Sequence, residues 1–544
     1  MATHFQFLDL PRELRDKIYH QYVSVGGYTH NFDKQQLRTA NDEPINLDFM
    51  YTCRQVAHEM KGVAFKTNVI TFFTTRPENT RQHAQTHASV SAYVHDLKCK
   101  VFRIVNLSFT KEHKSQVSRL YPSFMFAFDD NAQLWNCSHL GDSPAVFHDA
   151  LDYSLSLVLN HLRFPEVVEQ AGLRSDVIAI INTVLYLQWK PWSISTKEDI
   201  DSINFISGFP ENGWDLDKID IARYCFSATA ACISFLESIP LSTRSQIRNI
   251  IIDEDYAALG NPACHARGLI PYCQQNRHLR IERRVNLWRN VFMYSILETK
   301  ERLTDFEEFH GLRSEGAARL SRYMTLAVAD WTIEALGLVP AGMPPESFSL
   351  VFDGEPSTIR ASEIFKDVIH RDVTWQVALE KAIALGYLKE PATWDRRHSI
   401  YEYYLRKKFP KALRDIIDGT SIVKCNFDPG EMSSQLDIEE LVKEHHAWTW
   451  DEWEGQNKWN REPVNLETGP LLPGWKALVR ERFRVELPSP EEADLDVEGE
   501  EEDRDQDQDR EEEEEEEGEG EGVTGLETYI DESLAALFRL RRQL

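Results

Sequence analysis

One stretch of this chain cannot enter a folded core, and it limits where folding can take place. Residues 491 to 522 hold 21 acidic side chains and two arginines, and seven consecutive glutamates begin at Glu511. Such a segment buries too little apolar surface to offset the loss of chain entropy, and its like charges repel one another. The sequence therefore predicts a disordered acidic linker over 486–522 and places the folded body before it.

Outside that segment the composition is typical of a folded protein. The 544 residues carry a net charge of −28, of which the acidic segment alone supplies −19. The 42% of hydrophobic residues are enough to bury the cores of more than one domain. A nucleic-acid surface needs a basic patch that neutralises phosphates, and the sequence shows none. We therefore expect no nucleic-acid partner.

The cysteines and the first residues indicate an intracellular protein. Eight cysteines are scattered along the chain without a C-x-x-C pair, which favours free thiols in a reducing compartment. No basic segment followed by an apolar run opens the sequence, and no stretch reaches the roughly 18 apolar residues of a membrane span. We expect a cytoplasmic or nuclear protein that does not associate with membranes.

Helical periodicity covers most of the body, with short β-rich runs between the helices. The predicted helices are 148–164, 175–189, 217–239, 314–338, 362–388 and 398–417. The predicted strands are 69–73, 96–108, 250–252, 347–352 and 422–427. No internal period of about 20 to 50 residues appears, so a repeat architecture is not predicted. The expected fold class is α+β, helix-dominated with a few short strands.

The first predicted helix carries a regular apolar stripe. Pro11 suits the first turn of a helix, where its missing N–H costs nothing. Leu10, Leu14, Ile18 and Tyr22 recur at intervals of four residues, which predicts an amphipathic helix. Spacing alone does not say whether this stripe packs inside the protein or binds a partner.

The literal sequence of this segment, LDLPRELRDKIY, resembles the opening of the F-box, which ties substrate receptors to the adaptor of cullin-type ubiquitin ligases. It is more similar to the F-box-like N-terminus of large families of filamentous-fungal proteins. The similarity continues with CRQ at 53–55 and the strand-like NVITFF at 68–73. The resemblance implies a protein–protein interaction protein, and more specifically one that would act as a substrate receptor of a cullin-type ubiquitin ligase. Its adaptor contacts would be Leu10, Pro11, Leu14 and Ile18.

The F-box-like resemblance, together with the acidic composition and the helical patterns, predicts that the chain has four parts. They are an F-box-like module over 1–75, an α+β body of one or two subdomains over 76–485, the acidic linker, and an amphipathic helix over 523–544. Leu534, Leu537 and Phe538 lie on one side of that last helix, which predicts a second partner-docking face. The acidic run itself favours a basic protein partner, or serves only to keep the chain soluble.

Two other classes of function stay open. In a structural or scaffold protein the N-terminal helix is a packing element without a ligase role, and exposure of the stripe distinguishes the two. An enzyme of unfamiliar type is the third alternative, although no nucleotide-binding loop and no nucleophile motif is present. We therefore predict no catalytic residue and no cofactor.

Three clusters have weaker functional interpretations. Cys264, His265, Cys273 and His278 are zinc-type ligands within 15 residues, but their spacing matches no standard finger, so no metal is predicted. Asp253 to Asp255 follows a predicted strand, where acids more often start a solvated loop than bind a cation. The aromatic run at 445–453 fits a cation-binding cage less well than a helix that packs its indoles on the core.

Overall fold

A computed structural model describes residues 7–75, 81–106, 109–128, 144–159, 190–196, 225–258, 260–293, 315–389, 405–432, 435–453 and 466–481. The strands are Tyr28–Asn31 (β1), Gln36–Thr39 (β2), Val69–Phe73 (β3), Asn249–Glu254 (β4), Arg280–Asn286 (β5), Phe348–Asp353 (β6) and Val423–Cys425 (β7). The first helices are Arg12–Val23 (α1), Arg54–Met60 (α2), Val63–Thr67 (α3), Arg81–Val105 (α4), Lys111–Leu120 (α5) and Pro144–Leu159 (α6). The later helices are Ala228–Ser238 (α7), Leu241–Arg244 (α8), Ile270–Gln275 (α9), Glu315–Leu336 (α10), Thr358–Ile364 (α11), His370–Ala384 (α12), Phe409–Ile417 (α13), Gln435–Glu444 (α14) and Trp475–Arg480 (α15).

All seven strands form one sheet in the order β2-β1-β3-β4-β5-β6-β7. The β1–β2 hairpin is antiparallel, and every other neighbouring pair is parallel. From β3 to β7 the strands follow one another in chain order. They begin at residues 69, 249, 280, 348 and 423, so the segments between them differ widely in length. This spacing explains why no sequence repeat marks the sheet.

The sheet buries one face and leaves the other partly open to solvent. Side chains alternate along each parallel strand, and the register places Ile70, Ile250, Ile281 and Phe348 side by side in one buried row. Their sequence neighbours on the opposite face are half-buried or exposed. Parallel sheets are usually covered on both faces. Within the described residues, this face of the sheet is thus less completely buried than the other.

Helix α7 lies against the buried face and begins at a polar cluster. Ser227 caps its first turn by accepting a hydrogen bond from the backbone N–H of Ala230. The carboxylate of Glu254, at the end of β4, accepts further bonds from the N–H groups of Ala228 and Thr229. A carboxylate at a helix N-terminus also interacts favourably with the helix dipole. Strand β4 thus fixes where α7 starts.

The expectation of a mixed helix and strand protein is confirmed. The predicted strands at 69–73, 250–252, 347–352 and 422–427 correspond to β3, β4, β6 and β7. The strand predicted over 96–108 is wrong, because residues up to 105 belong to the 25-residue helix α4. Valine and isoleucine in that segment favoured a strand locally, and the amphipathic helical pattern over the longer segment prevailed.

The hairpin β1–β2 and strand β5 were not predicted. Polar residues dominate the hairpin, and four charged residues interrupt the apolar pattern of β5. The predicted helix 175–189, the acidic linker 486–522 and the C-terminal helix with Leu534, Leu537 and Phe538 lie outside the described residues. Among the helices that the structure describes, none is both long enough and apolar enough to span a membrane.

Candidate docking surface

Helix α1 is held by an aromatic cluster on one side only. Tyr19 and Val23 are buried, and they pack with Val56, Met60 and Val63 from the two following helices. The ring of Phe49 contacts the ring of Tyr19 with centroids 5.7 Å apart. These contacts fix the rotation of α1 about its own axis. They therefore determine which of its residues face solvent.

A buried ion pair reinforces this orientation. The guanidinium of Arg15 donates two hydrogen bonds, of 2.7 and 2.9 Å, to the carboxylate of Glu59 on α2. The same guanidinium donates to the backbone carbonyls of Leu8 and Leu10, and Tyr19 donates its hydroxyl proton to Glu59. Burial and the bond to Glu59 raise the pKa of Tyr19 to about 12. The bonds from Arg15 hold the pKa of Glu59 well below its usual range.

Part of the predicted apolar stripe faces solvent. Its last member does not, because Tyr22 is half-buried against the ring of Phe49, with centroids 5.1 Å apart. Leu14 is 44% exposed and Ile18 is 40% exposed, and Leu8, just before the helix, is 39% exposed. Pro11 is the exposed residue that precedes the helix, and Leu10 is half-buried. Because large apolar side chains usually avoid water, adjacent exposed ones on one helix indicate an interaction surface. We refer to Leu8, Leu10, Leu14 and Ile18 as the α1 stripe.

Asn68 connects this module to the sheet. Its side-chain amide donates to the carbonyl of Val23 at the end of α1 and to the carbonyl of Ala64 in α3. Its side-chain oxygen accepts from the backbone N–H of Val25. Since Asn68 directly precedes β3, the α1 stripe has a fixed position relative to the sheet.

A second surface, which was not predicted from the sequence, lies on the partly open face of the sheet. A groove of about 550 Å³ runs across β4 to β7 at their amino-terminal halves. Its lining combines aliphatic residues with charged ones, and it includes Ile251, Arg280, Glu282, Arg284 and Lys424. We call this surface the sheet groove. In the sequence, RIERRVN carries a period-two signal, since its charged residues at 280, 282 and 284 fall on this face.

The charges of the sheet groove are only partly balanced. Arg284 forms an ion pair of 2.7 Å with Glu282 on the same strand. Arg280 donates its hydrogen bonds to backbone carbonyls, so its charge has no carboxylate partner among the described residues. Lys424 is exposed on β7 and likewise pairs with no described carboxylate. The remaining acid in the lining is Glu346.

The zinc-type residues do not form a site. Cys264 and His265 are buried in a short helical segment, Cys273 is buried in α9, and His278 is exposed on the surface. Both ring nitrogens of His265 are used, one with the hydroxyl of Ser227 and one with the carbonyl of Gly260. Burial lowers the pKa of His265 to about 3. In the described ranges no cluster of three such side chains is arranged to hold a metal ion.

The acids at the end of β4 have divided roles. Glu254 is buried in an ion pair with Arg283, whose guanidinium nitrogens lie 2.6 and 3.0 Å from the carboxylate oxygen. Asp253, on the opposite face, has its pKa raised to about 6 by burial and by the nearby carboxylates of Asp255 and Asp353. Glu254 is therefore part of the buried core, whereas Asp253 lies on the partly open face of the sheet.

The aromatic run at 445–453 packs its rings on α12. Trp453 is buried, His445, Trp448 and Trp450 are half-buried, and His446 is exposed. Trp453 is buried with Ala378 and Ala382 of α12 in a small second core. The ring of His445 stacks on that of Trp448, with centroids 3.6 Å apart, and Trp375 continues the stack. Because these rings occupy one another's faces, the arrangement fits the core interpretation better than the cage.

No protein-family model, no curated protein and no solved structure matches this chain.

Proposed function

We propose that this protein is a protein–protein interaction protein that docks through the α1 stripe on the adaptor of a cullin-type ubiquitin ligase. One observation supports this most directly. Leu14 and Ile18 face solvent, whereas Arg15 and Tyr19 of the same helix are buried. A helix that served only packing would reverse this placement, because burying apolar side chains stabilises a fold. The rest of the chain would then present a bound protein for ubiquitination.

Burial of the exposed apolar surface of the α1 stripe would supply free energy for docking. Full burial of a leucine or isoleucine contributes about 1.5–3 kcal/mol. Leu14 is 44% exposed and Ile18 is 40% exposed, so burying what remains contributes about 0.6–1.3 kcal/mol for each, which is part of the free energy of docking. The Arg15–Glu59 pair holds the loop before α1 through the carbonyls of Leu8 and Leu10. The stripe is thus ordered before it meets a partner, which reduces the entropy lost on binding.

Binding of the purified full-length protein to the purified adaptor tests this proposal by titration calorimetry. The double variant Leu14→Asp, Ile18→Asp is expected to weaken binding by at least about 100-fold, because both apolar anchors are lost. The matched control is Lys17→Asp, Gln21→Asp, which adds two acids to exposed polar positions of the same helix. It is expected to retain binding within about threefold, since polar rim residues contribute little.

Thermal unfolding of each variant separates docking from packing. Leu14 and Ile18 are exposed, so the Leu14→Asp, Ile18→Asp protein should unfold within a few degrees of the unmodified chain. Absence of adaptor binding by the unmodified protein would contradict the proposal. A large loss of stability in the double variant would favour the scaffold alternative, in which the motif is a packing element.

A further inference from the structure

The sheet groove has a chemical character that points to a particular occupant. Its two unbalanced cations, Arg280 and Lys424, stand against one unbalanced acid, Glu346, and the lining also offers aliphatic surface from Val69 and Ile251. Arg284 and Lys424 flank Val351 in one row of the sheet, which places their strands about 10 Å apart. A chain with a net charge of −28 thus has a locally cationic groove.

Three acids lie at the other end of the sheet. Asp253, Asp353 and Glu355 are at the carboxyl ends of the parallel strands, away from the groove at the amino-terminal halves. This separation gives the face a charge gradient along its strands. An anionic segment on this face is therefore attracted toward the groove and repelled from the opposite end.

The course of the chain brings such a segment within reach. Glu481, the last described residue, accepts hydrogen bonds from Arg289, which follows β5 at its carboxyl end. The acidic run begins ten residues later, at 491. Ten residues span up to about 33–36 Å, more than the roughly 23 Å length of the seven-residue strand β5.

We infer that the acidic segment 491–521 of this chain docks in its own sheet groove. Tethering raises the effective concentration of the segment to about the millimolar range, so a weak intrinsic affinity is sufficient for substantial occupancy. The contacts are between segment carboxylates and the side chains of Arg280 and Lys424. Occupancy blocks this face against other acidic partners and falls as salt concentration rises.

Zero-length cross-linking with a water-soluble carbodiimide tests this inference, because it joins a lysine amine only to a carboxylate in contact with it. The full-length protein is treated at low micromolar concentration, digested and analysed by mass spectrometry. We expect Lys424 to couple to carboxylates of 491–521 about fivefold more than Lys17 or Lys61 do, two exposed lysines outside the groove, owing to local attraction. At about 1 M salt, where screening acts within 3 Å, this excess is lost.

Groove variants make the test specific. Arg280→Gln, Arg284→Gln leaves Lys424 in place and is expected to reduce its coupling at least about threefold, since the attraction between charges weakens. The control Arg38→Gln removes a cation from the hairpin strand β2, outside the groove, and should leave the coupling unchanged. Equal coupling at Lys424, Lys17 and Lys61 would overturn the inference. Cross-links between isotope-labelled and unlabelled copies in a mixture would also overturn it, in favour of a second copy as the source of the segment.

Discussion

Arg283 and Arg284 are adjacent in the sequence and occupy opposite environments. The guanidinium of Arg283 is buried beneath the sheet, paired with Glu254 and placed 4.5 Å from the ring centre of Trp331. That of Arg284 lies on the partly open face beside Glu282, with 43% of its side chain exposed. Removing one member of a buried pair leaves an uncompensated charge, whereas removing an exposed partner has little effect.

This contrast predicts two different outcomes for the same substitution. Arg283→Met is expected to lower the free energy of unfolding by about 3–5 kcal/mol, because Glu254 is left buried without its partner. Arg284→Met should change it by less than about 0.5–1 kcal/mol. Urea unfolding followed by circular dichroism measures both. Equal losses in the two variants would show that the burial difference does not control stability.

The environments of these individual side chains could only partly be predicted from the sequence. The segment RIERRVN has apolar residues at Ile281 and Val285, as a period-two strand would. Its four charged residues interrupt the apolar pattern, so strand β5 was not predicted. Arg283 is buried because it pairs with Glu254 on the neighbouring strand. The two residues are far apart in the sequence, so no local pattern predicts this pair.

The periodicity of the apolar residues, in contrast, correctly predicted helix α1 and the shared side of Leu14 and Ile18, but it wrongly included Tyr22, which packs on Phe49, in that side. The exposure of that side depended on the position of Tyr19 and Arg15 against α2.

At the scale of elements, the side-chain amide of Asn68 connects the end of α1, helix α3 and the start of β3. Asn68 makes three hydrogen bonds with backbone groups of Val23, Ala64 and Val25, and it is buried. Buried polar backbone groups that lose their partners are costly, so this residue couples the helical module to the sheet. The helices predicted at 148–164, 314–338 and 362–388 overlap α6, α10 and α12. In the segments predicted as helices 217–239 and 398–417, the described helix begins only at Ala228 and at Phe409. The partners on which these helices pack could not be predicted from periodicity.

Asn68→Ala is expected to lower the free energy of unfolding by about 1–3 kcal/mol, because the carbonyl of Val23 and the N–H of Val25 lose their hydrogen-bond partner. The carbonyl of Ala64 keeps the bond from the backbone N–H of residue 68. Asn46→Ala serves as the control. Asn46 also accepts hydrogen bonds, from the hydroxyl of Tyr22 and the N–H of Asp48, but in an exposed position where water replaces them. Denaturant unfolding should show a clearly smaller loss for Asn46→Ala, and a similar loss in both would contradict the coupling role of Asn68.

At the scale of the whole molecule, buried histidines make stability depend on pH. Burial lowers the pKa of His30 to about 4, that of His87 to about 4 and that of His265 to about 3. An unfolded histidine takes up a proton below about pH 6.5, so stability is lost as pH falls from 6.5 toward 4. Asp253, with its pKa raised to about 6, takes up a proton in the folded state and partly opposes this loss.

We therefore expect the free energy of unfolding to be lower at pH 5.0 than at pH 7.5. His30 packs between Phe72 and Phe235, with ring centroids 5.2 Å away in each case. His30→Phe should reduce the pH-dependent loss by about 1–2 kcal/mol, since one depressed pKa is removed. His278→Gln, at an exposed position, is the control and should leave the pH dependence unchanged. Identical pH profiles for all three proteins would contradict the assignment.

The arrangement of the sheet was the least predictable property of the chain. Most of its strands were recognised one by one, but nothing local indicates that β3 pairs with β4 across about 180 residues. Such pairing is decided by the complementary buried rows of Ile70, Ile250 and their neighbours, which only the assembled structure brings together. Non-local parallel pairing also forms slowly, because a long loop must close first.

The separation of β3 from β4 has a consequence for biosynthesis. A ribosome that adds about 5–20 residues per second needs roughly 10 to 40 s to make the chain between the two strands. During that time the hairpin β1–β2 and β3 are already synthesised, and the strand that covers the free side of β3 does not yet exist. The nascent chain thus exposes an unpaired edge containing Val69, Ile70 and Phe72 until Ile250 and Ile252 emerge.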